Sequence, residues 1–209
     1  MSPGELSVLH SVALASLLAW ASGIRLYLVM FAIGMAGHFD YMDLPKGLEV
    51  LKHPWVLGAA GFMVLMEFLA DKIPAIDSAW DAIHTFIRIP AGALLAAGAT
   101  GDSLSALTVA AGILGGTITA GTHFTKAGGR AVINTSPEPV SNWGASFTED
   151  ALVLSGIWLA LTHPLVFLVL LLFFLLMLVW LIPKVWRGIR AVVDRVSGPR
   201  QQLPPPAGA

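Results

Sequence analysis

The chain has 209 residues, of which 56% are hydrophobic and 12% formally charged, whereas an average soluble domain carries about 25% charged residues. With a mean hydropathy of +0.76, this excludes an ordinary cytosolic enzyme, a disordered chain, collagen and a coiled coil, and describes an all-α polytopic transmembrane bundle. A net charge of −1 without a basic stripe gives no case for a nucleic-acid partner, and zero cysteines exclude disulfides and a thiol nucleophile.

A helical crossing takes about 20 mostly apolar residues, and about six segments qualify. Residues 9–36 are long enough but carry Arg25, preceded by Ser22-Gly23, so this first helix is expected to be broken there. Residues 55–70 are interrupted only by Glu67. Residues 77–99 begin polar and turn small and apolar after Pro90. Residues 104–122 are built from Ala, Gly and Thr, with Gly112, Gly116 and Ala120 at a four-residue spacing that lets helices pack closely, in the bundle centre or in a dimer. Residues 147–161 open on Glu149-Asp150, read as N-terminal caps, and residues 165–183 carry no charge.

Residues 1–183 thus form a transmembrane helical domain, 184–200 a basic amphipathic helix, and 201–209 a disordered proline-rich tail. Glu5 stands where a signal peptide would be basic, so the first segment is expected to stay as a helix. Lys184, Arg187, Arg190, Arg195 and Arg200 place the C-terminus in the cytoplasm by the positive-inside rule. Counting back, both termini lie inside a cell membrane, expected to be a bacterial inner membrane. His53-Pro54 with Ile73-Pro74, and His163-Pro164 with Ile182-Pro183, hint at an internal duplication, or simply at prolines that start helices.

Ionisable groups in a bilayer are costly and call for explanation, about 2.5–3.5 kcal/mol each on insertion scales. Arg25, beside a break, suits an anion or pairs internally with an acid such as Glu67. Glu67 and Asp71 lie four apart, Lys72 follows, and Asp77, Asp81, His84 and Arg88 form one stripe of the next helix. These groups can hold a divalent ion, relay protons, or pair with one another. His123, Lys126 and Arg130 align if helical, although Gly128-Gly129 permits a break and the segment 120–142 suits a re-entrant or packed glycine-rich loop. It lacks the lysine followed by Ser or Thr of a P-loop.

The stretches SGIRLY, EFLADKIPAIDSAWDAIHTFIRIPAGALL and AGTHFTKAGGRAVIN, with the later Ser-Pro-Glu-Pro and Glu-Asp pairs, resemble one bacterial membrane-protein family, catalogued as domain of unknown function number 4126. The resemblance covers roughly residues 9–183 and implies an integral membrane protein of several helices. It brings no activity and no cofactor.

The function these features fit best is a small-solute transporter or channel with a charged site inside the bundle. The cations Arg25, His123, Lys126 and Arg130 favour an anionic solute, and the acids provide for a coupling proton or cation. The alternatives are a non-catalytic assembly factor or complex subunit, self-associating or bound to a membrane partner, and a membrane enzyme acting on a lipid or phosphorylated substrate. No HExxH or GxSxG motif supports the enzyme.

Overall fold

A computed structural model describes residues 3–101, 105–135 and 139–196. Among them are six α-helices, one 3-10 turn and no strand: α1 (Pro3–His38), the turn Lys46–Lys52, α2 (Pro54–Ala70), α3 (Pro74–Gly98), α4 (Ala106–Ile133), α5 (Pro139–Thr162) and α6 (Pro164–Val196). The helix starts follow from local chemistry. α2, α3, α5 and α6 each begin at a proline, whose missing N–H costs nothing in the first turn. α4 is capped by Ser105, whose Oγ accepts the Thr108 N–H at 3.2 Å.

The chain divides into two compact units, Met1–Leu170 and Leu171–Ala209. In the first, α1 is the central element and touches α2, α3, α4, α5 and the 3-10 turn. It is apolar nearly all round, and Leu17, Leu18, Ala21, Leu26, Val29 and Ile33 are buried on several faces, as expected of a helix surrounded by others. In the second unit α6 runs on through Pro183 to Val196, and Lys184 Nζ lies 3.1 Å from the Trp180 ring centroid. The second Ile-Pro therefore sits inside a helix, whereas Ile73-Pro74 starts α3. The proline-rich tail lies outside the described residues.

Two helical stretches are long and apolar enough to cross a membrane, Val8–His38 and Pro164–Leu181. A third qualifies if the 3-10 turn and α2, bent 71° apart, count as one span. Asp77, Asp81 and Arg88 lower the hydropathy of α3, and glycines and threonines lower that of the charge-free part of α4, so neither reads as a simple span. Two expectations are corrected. Gly128-Gly129 does not break α4, which stays helical to Ile133. Each glycine costs a helix about 1 kcal/mol, but His123, Lys126 and Arg130 are buried on one face and pin it. Glu149 and Asp150 are not caps, because α5 starts at Pro139, more than two turns earlier.

Candidate functional site

The site grows from an interruption in α1. Arg25 has φ −141° and ψ 72°, outside the helical region, so the break falls two residues beyond Gly23. At Gly23 α4 presses closely on α1: a Cβ there would come within 2.7 Å of the Thr119 carbonyl and 2.9 Å of the His123 nitrogen. A helix break leaves carbonyls without helical partners, and Lys126 Nζ donates to Ile24 O at 3.1 Å. Ser22 Oγ turns back to Leu18 O at 2.5 Å, a bond that loosens a helix locally.

Arg25 is enclosed by acids. Its Nη1 pairs with Asp71, its Nε lies 2.8 Å from Asp150 Oδ1, and its Nη2 lies 3.4 Å from Glu149 Oε2. Nη2 also donates to Ser146 O at 3.0 Å and Ser146 Oγ at 2.8 Å. Glu67 Oε1 is 3.9 Å away. The internal pairing weighed against an anion site is therefore present, with Asp71 as the nearer partner.

Arg88 forms a second centre. It pairs with Glu67, donates to Asp81 Oδ1 at 3.0 Å, and has its Nη1 3.2 Å from His123 Nδ1. His123 Nε2 meets Thr85 Oγ1 at 2.7 Å. On the same stripe His84 Nδ1 contacts Trp80 O at 2.8 Å and its Nε2 contacts Tyr27 Oη at 3.1 Å. Lys126 lies between the two centres, 3.3–3.7 Å from carboxylate oxygens of Glu149, Asp81 and Glu67. Arg130 joins Glu149 at 2.7 Å, Asp71 at 3.0 Å and the Asn142 carbonyl at 3.1 Å. Asp77 accepts from Asn134 Nδ2 at 2.8 Å.

The candidates Arg25, Glu67, Asp71, Asp77, Asp81, His84, Arg88, His123, Lys126 and Arg130 are all buried, and all but Asp77 and His84, which bond Asn134 and the Trp80 and Tyr27 oxygens, are joined by ion pairs and hydrogen bonds into one network. Lys72 stands at its rim. Its Nζ donates to Ser146 Oγ at 3.1 Å and lies 3.6 Å from the Phe68 ring centroid. Burial holds this ammonium below the usual lysine range, against the raising effect of Asp71. Gly112 and Gly116 face Ala93 of α3, but tighter approaches between helices run through Gly23, Gly92, Gly115 and Gly156.

Each buried cation has carboxylate partners, which such burial requires. The acids are nevertheless in excess: Glu67, Asp71, Asp77, Asp81, Glu149 and Asp150 against Arg25, Arg88, Lys126, Arg130 and the rim Lys72. Asp71 Oδ1, Asp77 Oδ1 and Asp81 Oδ2 have no hydrogen-bond partner among the described residues. Nor do three His, Asp or Glu side chains among those residues gather as a metal would need. A cavity of about 310 Å³ lies between α1, α2 and α5 and is lined by Arg25, Glu67, Phe68 and Asp150.

Ser146, Asn142, Tyr27 and Thr85 were missed as site residues, as were the inward-facing Glu149 and Asp150. Positions 142, 146, 149 and 150 follow a helical stripe, a signal that emerges once α5 is started at Pro139. Among known proteins, a family described as Domain of unknown function (DUF4126) matches residues 12–184. No curated protein and no solved structure matches the chain.

Proposed function

The chain belongs to the DUF4126 family, which lends it no activity, and we propose from the buried site alone that it is a multi-pass membrane transporter or channel for a small solute. In this reading all six helices cross the membrane and both termini are cytoplasmic. The supporting observation is the convergence of charged side chains from α1 to α5 on a helix break, beside a cavity reaching Arg25, Glu67 and Asp150. Ionisable residues inside a membrane bundle commonly mark ion or substrate paths, and interrupted helices commonly form transporter binding sites. The excess of acids over cations favours a proton or a cationic solute over the anionic one the basic residues suggested.

Liposomes containing the purified protein and a pH-sensitive dye test this against panels of small organic cations and anions. A cation is expected to drive flux above that of empty liposomes, and Arg25→Met or Glu67→Gln is expected to lower it by about tenfold or more. Absence of flux with every solute would overturn the transport reading. It would favour the second one, a non-catalytic assembly factor or complex subunit, for which the pairing of every buried cation speaks. That role predicts a stoichiometric membrane partner on purification.

A further inference from the structure

Lys72 is held unlike the other cations of the cluster. Arg25, Arg88, Lys126 and Arg130 each contact carboxylates, whereas Lys72 has no carboxylate partner among the described residues. Aromatic rings surround its ammonium instead: Phe68 at 3.6 Å from the centroid, and Trp143 and Phe147 at 5.0 Å each. The negative faces of aromatic rings attract cations, and cages of several rings recognise alkylated ammonium groups. Phe68 lies one helical turn before Lys72, and Trp143 and Phe147 are successive turns of one face of α5, so two elements build the cage.

Two further details bear on what this cage can take in place of Lys72. Ser146 Oγ, the one polar partner among the described residues, is fully used: it accepts from Arg25 Nη2 and Lys72 Nζ and donates to Asp71 Oδ2 at 3.2 Å. Departure of Lys72 would free an acceptor within the cage. Phe68 also lines the cavity that reaches Arg25, Glu67 and Asp150, so the cage adjoins the buried acids. Trp143 is 48% and Phe147 54% exposed, leaving the cage open on its outer side.

We propose that Phe68, Trp143, Phe147 and Ser146 form a recognition cage for an alkylammonium solute, and that Lys72 is a tethered cation which occupies it until the solute displaces it. The proposal rests on the cationic-solute reading above and adds the solute's chemical class and its first contact. Lys72 competes with the solute as a built-in ligand, which keeps the cage filled between solutes.

The test uses the full chain in a maltoside detergent, which carries no cationic headgroup. Tetramethylammonium chloride is titrated by calorimetry into the wild type, Lys72→Met and Lys72→Met/Trp143→Leu, with sodium chloride as the ionic-strength control. Lys72→Met is expected to bind tetramethylammonium about tenfold more tightly than the wild type, and Trp143→Leu to abolish the gain. Equal affinities, or a gain that survives Trp143→Leu, overturn the proposal. A measurement on the wild type covers the case in which Lys72→Met does not fold. Acetylation of Lys72 by an activated ester, followed by mass spectrometry, is expected to accelerate about threefold or more under saturating tetramethylammonium, and an unchanged or slower rate rejects the cage. Rejection alongside Arg25-dependent flux of some other cation would remove only the cage, whereas absence of all flux removes the transport reading itself.

Discussion

Glu67 sits where three cations meet: its Oε1 pairs with Arg88 and lies 3.7 Å from Lys126 and 3.9 Å from Arg25. At 1% side-chain exposure it has almost no water to replace those partners. Glu67→Gln keeps the shape and removes the charge, leaving buried guanidinium and ammonium groups undercompensated. Breaking a buried pair from one side costs about 3–5 kcal/mol, whereas replacing both partners with apolar groups is often close to neutral. Thermal denaturation in detergent should therefore show a large loss for Glu67→Gln and a smaller one for Glu67→Leu/Arg88→Met. Lys72→Met, at the rim, should cost only about 1–2 kcal/mol, the scale of its cation–π contacts. A loss for Lys72→Met as large as that for Glu67→Gln would contradict the distinction drawn between core and rim.

At the scale of elements, the contact between α1 and α4 is set by Gly23. The atoms a Cβ would meet there are mainly backbone, the Thr119 carbonyl and the His123 nitrogen, and these cannot swing aside as a side chain would. Thr119 Oγ1 also donates to Ala19 O at 2.8 Å, which ties the two helices together just before the break. Gly23→Ala should force them apart and cost about 1–3 kcal/mol, the usual range for overpacking. It should also weaken the Lys126 bond to Ile24 O. Gly128→Ala, on the same α4 but with open space around it, should be neutral or mildly stabilising, since alanine is the better helix former by about 1 kcal/mol. Parallel melting curves of the two variants check this, and equal losses would contradict it.

For the whole molecule, the membrane arrangement is the property to measure. Lys184, Arg187 and Arg190 follow the most apolar stretch of the chain, and basic residues flanking a span are retained in the cytoplasm. A reporter active only inside the cell, fused after Ala209, should give a signal. A signal only from an external reporter would invert the proposed topology. The starts of α2 and α6 were legible in the sequence because His53-Pro54 and His163-Pro164 act locally, through the first-turn N–H groups, whereas the start of α5 at Pro139 was not. The stripe Asp77, Asp81, His84, Arg88 was legible because helical spacing is a property of the backbone. The length of α4 was not, since two glycines argue for a break and only the burial of His123, Lys126 and Arg130 overrides them.

Composition and periodicity by themselves determined an all-helical, apolar chain with charge confined to a few positions, because solvation and backbone hydrogen bonding act on each segment alone. Which acid meets which cation was decided by the tertiary structure. Arg25 was free to choose among several carboxylates; packing of α2 and α5 against the break gave it Asp71, Asp150 and Glu149, with Glu67 at the margin. Electrostatic attraction has no sequence range, so its partners are fixed only when the helices are brought together.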